Sequence, residues 1–426
     1  MQNVRPEGEY PLTFRSGDVA FLEQNIALYR SIELIGMKRV GINNLIQYFF
    51  SHKNYPSNKA NLFVLVDLNN LVEREIFPFW QLTLKRIVDG VRDSELPPEV
   101  EKKVTRIFES CIQYENLLMT FDGIREALDA IVTAGIHPVI FFTRFDRISN
   151  LLSDDFFANI KGIHSAAGRQ MSFVFTSYLP LEQISKSPIN RSKIDFLHTH
   201  YIKPANPADS GAIISGFQLH HGITIAPALS NKMIELCGGH AQYLQLALLI
   251  YLEQQEKITS AKLLEQVLMN DERIMLQSEE LWESLSDETQ HFLKSVCTSQ
   301  GCKTKPTNLP YIERAGLLTQ HNDSIYIFSP LLTHYVEEKA QTKKSQSLEL
   351  TKKEHLLYTC LHNNINEICE RETIIEQVWP EDEDYGISDW SIDKLVERLR
   401  TKLKTKDPSL EVITVRTRGY KMMKKN

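Results

Sequence analysis

The sequence predicts a multidomain chain of α/β plus α+β class, and three observations point there. Short apolar runs alternate with helical segments up to about residue 205, the pattern of a mostly parallel sheet with crossover helices. An all-helical block follows. Two later stretches each read as helices closed by a short hairpin, with a polar segment between them. The expected organisation is 1–205 for the parallel-sheet domain, 206–279 for a helical lid and 280–338 for the first helix–hairpin domain. A linker at 339–349 and the second helix–hairpin domain at 350–426 complete it.

The predicted strands are Ser31–Gly36, Asn61–Asp67, His137–Thr143, Met171–Ser177 and Phe196–Ile202. Each is too short for a helix and dominated by Val, Ile, Leu and Phe, as strands buried on both faces are. From Pro207 to Glu279 the pattern is helical, including Ala241–Glu256. From Glu280 to Glu338 it reads helix, helix, hairpin: Ala315-Gly316-Leu317-Leu318 ends a helix, and Asn322-Asp323 turns between two strands that end at Phe328. Lys339 to Glu349 is polar and reads as a linker.

The last block opens with Thr351 three residues before Glu354, a capping-box signature. A second helix is expected from Arg371 to Trp379, stopped by Pro380. After an acidic loop, Glu381 to Asp384, a third helix starts near Ser388 or Asp389. Ile392, Leu395, Val396, Leu399 and Leu403 form its apolar stripe. Ser391, Lys394, Arg398, Thr401 and Thr405 lie opposite, with Lys402 at the edge. Arg400 and Lys404 sit on a flank, where Glu397, three residues earlier, is expected to hold Arg400. Val412–Val415 and Gly419–Met422 then form a hairpin with Arg416 and Arg418 at its turn. A helix docked by one face and basic on the other fits the major groove, and a basic hairpin tip beside it adds a second contact. The DNA-facing set is therefore Ser391, Lys394, Arg398, Thr401, Lys402, Arg400, Arg416 and Arg418, and the partner is double-stranded DNA.

The charge distribution agrees. Net charge is -6, so the whole chain is no polycation, yet residues 390–426 carry about eleven Lys and Arg against four Asp and Glu. No apolar run is long enough to span a membrane, and the N-terminal residues lack a signal-peptide core, so a cytoplasmic protein without a membrane partner is expected. Cys111, Cys237, Cys297, Cys302, Cys360 and Cys369 show no metal-ligand spacing and read as reduced structural thiols. His198 and His200 share a strand face, but no third ligand accompanies them, so no metal site is assigned.

Gly36-Met37-Lys38-Arg39-Val40-Gly41-Ile42-Asn43 follows the first strand. Its glycines have the spacing of a phosphate-binding loop, G-x-x-x-x-G-K-[ST], but Ile42 and Asn43 stand where the phosphate-binding Lys and the magnesium-binding hydroxyl belong. The strand ending Val139–Phe142 should present a magnesium carboxylate and a water-activating Glu; it ends in Thr143 and Arg144 instead. Gly36, Lys38, Arg39, Gly41 and Asn43 are thus read as a vestigial nucleotide site. No catalytic residue and no cofactor is expected, ATP included, although backbone N–H groups could still cradle an anion.

Two resemblances rest on these residues. Leu350 to Met422 is similar to the effector domain of OmpR/PhoB-type transcriptional regulators. The matching pieces are Leu350-Thr351-x-x-Glu354, Arg371-Glu372 with Val378-Trp379, Ser391-Ile392-Asp393, Arg398-Leu399-Arg400-x-x-Leu403 and Val415-Arg416-x-x-Gly419-Tyr420. Thr417 departs from the usual Gly at the wing tip. The resemblance implies a winged helix-turn-helix whose third helix enters the major groove, and a loop, here 380–386, able to touch RNA polymerase.

The first 325 or so residues resemble, in degenerate form, the P-loop ATPase domains of the STAND class, relatives of AAA+ proteins. The carriers are Phe14-Arg15-x-x-Asp18, Phe173–Ser177, Cys237-Gly238-Gly239-His240 with Tyr243-Leu244, Arg314–Leu318 and Phe328–Leu331. This implies a P-loop NTPase-like sheet with a helical lid, followed by a first winged helix.

The leading expectation is a DNA-binding transcriptional regulator, with a non-hydrolysing STAND-like module acting as sensor, protein-interaction platform or site of homo-oligomerisation. One competing reading is a non-catalytic subunit of a larger nucleic-acid-associated complex, as in defence or mobile elements. The other is a nucleotide-binding switch ATPase with a rearranged site. Binding without sequence preference would favour the first, and ATP turnover the second.

Overall fold

The computed structural model describes residues 10–51, 61–94, 96–114, 116–298, 309–321, 324–341, 350–379, 389–415 and 418–424. The chain divides into two compact units, Met1–Asp271 with Ser286–Thr333, and Glu272–Leu285 with His334–Asn426.

The first unit begins with α1 (Ser16–Ala27), β1 (Ser31–Gly36), α2 (Ile42–Ser51), β2 (Asn61–Asp67), α3 (Ile76–Arg92), α4 (Pro98–Tyr114) and α5 (Leu117–Thr133). It continues through β3 (His137–Thr143), α6 (Asp154–Ala166), β4 (Ser172–Ser177), α7 (Leu181–Ile184) and β5 (Leu197–Ile202). The five strands form one sheet in the order β2-β3-β4-β1-β5, every pair parallel. All five predicted strands are present, two of them starting one residue later than expected. β1, β3 and β4 are buried at every position, which explains their largely apolar sequences. Their side chains join an aromatic core in which Phe142 stacks on Phe175 with centroids 5.5 Å apart.

Among the buried polar residues of these strands, Glu33 is a carboxylate. Glu33 lies within buried β1, accepts from the Leu181 amide at 2.7 Å and from Thr199 Oγ1 at 3.0 Å, and so caps the short α7. Burial pushes its carboxyl above the usual range, against the pull of those two bonds.

The lid comprises α8 (Pro207–His221), α9 (Pro227–Cys237), α10 (Ala241–Gln254) and α11 (Ala261–Asn270). α8 and α9 each begin on a proline, whose missing N–H costs nothing in the first turn, and each stops at a left-handed glycine, Gly222 and Gly238. Next in the chain is α12 (Glu272–Glu283), which packs in the second unit. The first unit then resumes with α13 (Asp287–Thr298), α14 (Pro310–Arg314) and the antiparallel pair β6 (Leu318–His321) and β7 (Ser324–Ile327). The Asn322-Asp323 turn expected between them lies outside the described residues. The boundary expected between 279 and 280 falls inside α12.

The second unit contains α12, most of α15 (Pro330–Gln341), α16 (Lys352–Asn363), β8 (Cys369–Glu370), α17 (Arg371–Val378), α18 (Asp389–Lys406), β9 (Leu410–Val415) and β10 (Gly419–Lys424). α15 takes up the first residues of the expected linker. The three strands form an antiparallel sheet, β8-β10-β9. The predicted capping box is formed: Thr351 Oγ1 accepts from the Glu354 amide, and Glu354 accepts from the Thr351 amide at 2.7 Å. Ile392, Leu395, Val396, Leu399 and Leu403 are all buried, packed with Leu357, Leu361, Trp379, Val412 and Tyr420. This is the helix–helix–helix–hairpin of a winged helix.

Candidate nucleic-acid interface

The chemistry of the loop after β1 decides what the first unit offers. β1 lies between β4 and β5, and a crevice beyond the carboxyl end of such a strand is where open α/β sheets hold ligands. Here the loop's carbonyls are tied to the protein itself. His240 Nε2 donates to Lys38 O at 2.8 Å, the Gln242 amide to Arg39 O at 3.3 Å, and Arg15 Nη2 to Val40 O at 3.2 Å. Both glycines have packing reasons to be there. A Cβ at Gly36 would come within 2.8 Å of Val40 Cγ1, and Gly41 has φ +107° with Ala241 Cβ 3.0 Å from where its own would lie.

His240 is fully buried, and its two nitrogens face opposite kinds of partner. Nε2 meets a carbonyl, while Nδ1 accepts from the Tyr243 amide at 3.3 Å and caps α10. Only the neutral Nε2–H tautomer satisfies both. Burial accordingly pulls its pKa down to about 4, with Arg39 adding to the effect and the Lys38 bond opposing it.

Around the remainder of the loop cations predominate. Lys38 Nζ lies 4.8 Å over the Tyr178 ring. Arg144, left-handed at φ 58°, has its guanidinium pushed down by burial and by Arg39 and Arg147 nearby, against the pull of Asp67. Asp146 is raised by burial, although Lys38, Arg144 and Arg147 favour its charged form. Asn43 sits in the first turn of α2, half-buried.

In the second unit, Ser391, Lys394, Arg398, Thr401 and Lys402 lie along one side of α18, and Arg418 stands just before β10. Lys394, Arg398 and Lys402 stand four residues apart, and each is half-buried beside a carboxylate. Lys394 Nζ is 2.8 Å from Glu283 and 2.8 Å from Glu397, which raise its pKa although burial alone would lower it. Arg398 pairs with Glu279, and burial holds its guanidinium below the ordinary range. Lys402 Nζ is 2.6 Å from Glu354, the buried acid of the capping box. Ser391 is half-buried in the first turn. Thr401 is exposed and donates to Glu397 O at 3.0 Å.

Arg400 departs from expectation. Glu397 does not hold it; that acid goes to Lys394. Arg400 instead reaches across to the wing, donating from Nε to Val412 O at 2.7 Å and from Nη2 to Thr414 Oγ1 at 2.8 Å, with its guanidinium 5.9 Å from the Tyr420 ring centre. The strand carbonyl and hydroxyl form a fork that suits guanidinium geometry better than a neighbouring carboxylate on the same helix does. Arg418 is exposed, 3.3 Å from the equally exposed Glu370. Arg416, Thr417 and the loop 380–386 lie outside the described residues.

Sequence reasoning missed the acids of α12 that face this surface. Their only sequence sign is that Glu279 and Glu283 repeat the four-residue spacing of Lys394 and Arg398.

Comparison with known proteins agrees with this geometry. Residues 345–422 match the family described as "Transcriptional regulatory protein, C terminal". Over 78 residues, 18% of this chain, the sequence is 35% identical to the heme response regulator HssR of Staphylococcus saprophyticus, and it spans 34% of that relative's length. Similar solved structures include a Walker-type ATPase of Pyrococcus abyssi, with 13% identity, 79% of this chain and 99% of that one covered, and a TM-score of 0.48. The ORC2 protein of Aeropyrum pernix is another, with 10% identity, coverage of 80% and 98%, and a TM-score of 0.42. Among the described residues no helix is long and apolar enough to cross a membrane. Residues 345–422 are thus a winged-helix DNA-binding domain of the OmpR/PhoB type, the C-terminal domain of transcriptional regulatory proteins.

Proposed function

We propose that the chain is a DNA-binding transcriptional regulator whose first unit does not hydrolyse ATP and serves as a sensor or protein-interaction platform. The observation that carries this reading is α18: five apolar residues dock it in the core, and Lys394, Arg398 and Lys402 form a basic row on another side. In this reading α18 lies in the major groove, Arg398 and Lys394 reach guanine edges or phosphates, and Arg416 and Arg418 contact the backbone from the wing. Arg400 is a positioning residue that ties the wing to the helix. Contact of the 380–386 loop with RNA polymerase belongs to the same proposal.

Loss of hydrolysis is supported by Ile42, Asn43, Thr143 and Arg144 at the positions where magnesium and phosphate chemistry needs Lys, hydroxyl and carboxylates. The cations around Asp146 add to this, because Lys38, Arg144 and Arg147 all draw on its carboxylate.

A gel shift and genome-wide footprint with wild type and the Arg398→Ala/Arg416→Ala variant test the surface. A loss of binding of tenfold or so is expected from two contacts, and unchanged binding would refute the assignment. Calorimetry and a turnover assay with ATP and magnesium test the first unit, where measurable hydrolysis would refute a non-hydrolysing module.

A further inference from the structure

The face of α18 that this function turns toward DNA is already occupied by acids. Lys394, Arg398 and Lys402 span about 12 Å at 1.5 Å per residue, and their partners are Glu283, Glu279 and Glu354. Glu279 and Glu283 come from α12, four residues apart, and run antiparallel to the basic row. Other contacts within the second unit fix α12 there. Thr351 Oγ1 donates to Glu272 at 2.9 Å, Lys339 lies 3.8 Å from Glu279, and the Trp282 ring packs 6.4 Å from that of Tyr335. The Glu279 side chain is only 10% exposed, so this acid is enclosed by the packing and is no loose surface partner.

We propose that α12 is a built-in competitor of DNA. Its Glu279 and Glu283 carboxylates take the place of phosphate oxygens on Arg398 and Lys394, and they close the reading face until α12 is withdrawn. The inference rests on the DNA-binding reading above and adds its regulation. Chain connection supplies the lever: Asp271 alone separates α12 from α11, and Ser284 to Ser286 separate it from α13. Both neighbours belong to the first unit, so a rearrangement there pulls on both ends of the clamp. The exchange is of one oxyanion for another, with no bond made or broken. Lys402 is different, since Glu354 belongs to the α16 capping box and stays when α12 leaves.

The test is the affinity of the full chain for a mixed-sequence DNA duplex, measured by fluorescence anisotropy at one fixed low salt concentration. Glu279→Gln/Glu283→Gln keeps side-chain volume and removes the clamp's charge. Glu283→Gln alone, at a side chain 31% exposed, serves if the double variant does not fold. Glu99→Gln/Glu101→Gln, on exposed positions of α4, changes net charge equally without touching α12. The double variant should bind about tenfold tighter, inside the roughly 5- to 150-fold range of ordinary coupling. The single variant should tighten by less, and the α4 control should stay within about twofold of wild type. Equal tightening in both double variants would overturn the inference in favour of bulk charge. Unchanged or weaker binding in the α12 variants, with Arg398→Ala still lowering affinity, would overturn it and leave the DNA reading standing. Absence of duplex binding in every protein, the clamp variant included, would remove the DNA reading and the inference together.

Discussion

His240 offers the sharpest test of how α10 holds the loop after β1. Its folded pKa of about 4 lies below the 6.5 of a free imidazole, because protonation would set a charge in a fully buried site and a second donor against the Tyr243 amide. Between these two values the unfolded chain binds more protons than the folded one, so stability from this group rises with pH and is lost as pH falls toward 4. The whole gap corresponds to about 3 kcal/mol, and about 2 kcal/mol of it is lost between pH 7 and pH 5. His240→Asn keeps a short acceptor for the α10 cap but cannot titrate. Urea unfolding of both proteins near pH 7 and near pH 5 cancels the other titrating groups in the difference. Hydrogen exchange on the α2 and α10 peptides assigns the transition to the first unit. The wild-type advantage should be largest at the higher pH and shrink by about 2 kcal/mol at the lower. An advantage that stays constant across the window would refute the neutral, doubly bonded histidine.

Substitutions at two further positions probe other polar contacts. Glu33→Gln should leave the first unit as stable as wild type or more so near neutral pH. Burial raises the Glu33 pKa, so ionising it costs stability as pH rises above the ordinary carboxylate range; denaturation midpoints at pH 5 and pH 8 that favour Glu at the higher pH would contradict this. Arg400→Ala should lower the stability of the second unit by about 1–2 kcal/mol through its two bonds to β9, read by hydrogen exchange on peptides of α18 and β9. Arg400→Lys should not restore it, because an ammonium cannot span the Val412 and Thr414 acceptors together; full rescue would mean that charge alone matters there.

β1, β3 and β4 were legible because burial on both faces turns each into a short, largely apolar run, whereas β2 and β5 are only partly buried. The ends of β1, β3 and β4 were legible because glycine or a polar residue closes each run, as Gly36, Thr143 and Ser177 do. The α18 stripe was legible for the same kind of reason: one side of a helix is enough to specify which residues face a core. What a helix meets on its other side is not written in its own periodicity. α12 shows this directly. Gln277, Ser278, Glu279 and Glu280 are all buried, in the middle of a helix whose composition reads as solvent-facing, and the partners of Glu279, Lys339 and Arg398, come from far along the chain. Arg400 shows it at shorter range, since the fork it binds exists only once β9 is folded beside α18. The two residues of β8 carry no pattern at all and are a strand only because β10 pairs with them.

The two kinds of acid along α18 differ in what releasing them would cost. Glu354 is 1% exposed and already bonded to the Thr351 amide, so separating it from Lys402 would leave a buried carboxylate short of a cation inside the domain's own core. Glu283 is partly exposed, and water can take over its solvation as it leaves Lys394. Glu279 stands between them: enclosed while α12 is docked, it returns to water when the whole helix departs, and Lys339 is lost with it. Release therefore favours movement of α12 as a unit over fraying of single ion pairs. DNA phosphates could replace both of its carboxylates without any rearrangement of α18, whose docking stripe and Lys402 anchor would stay as they are.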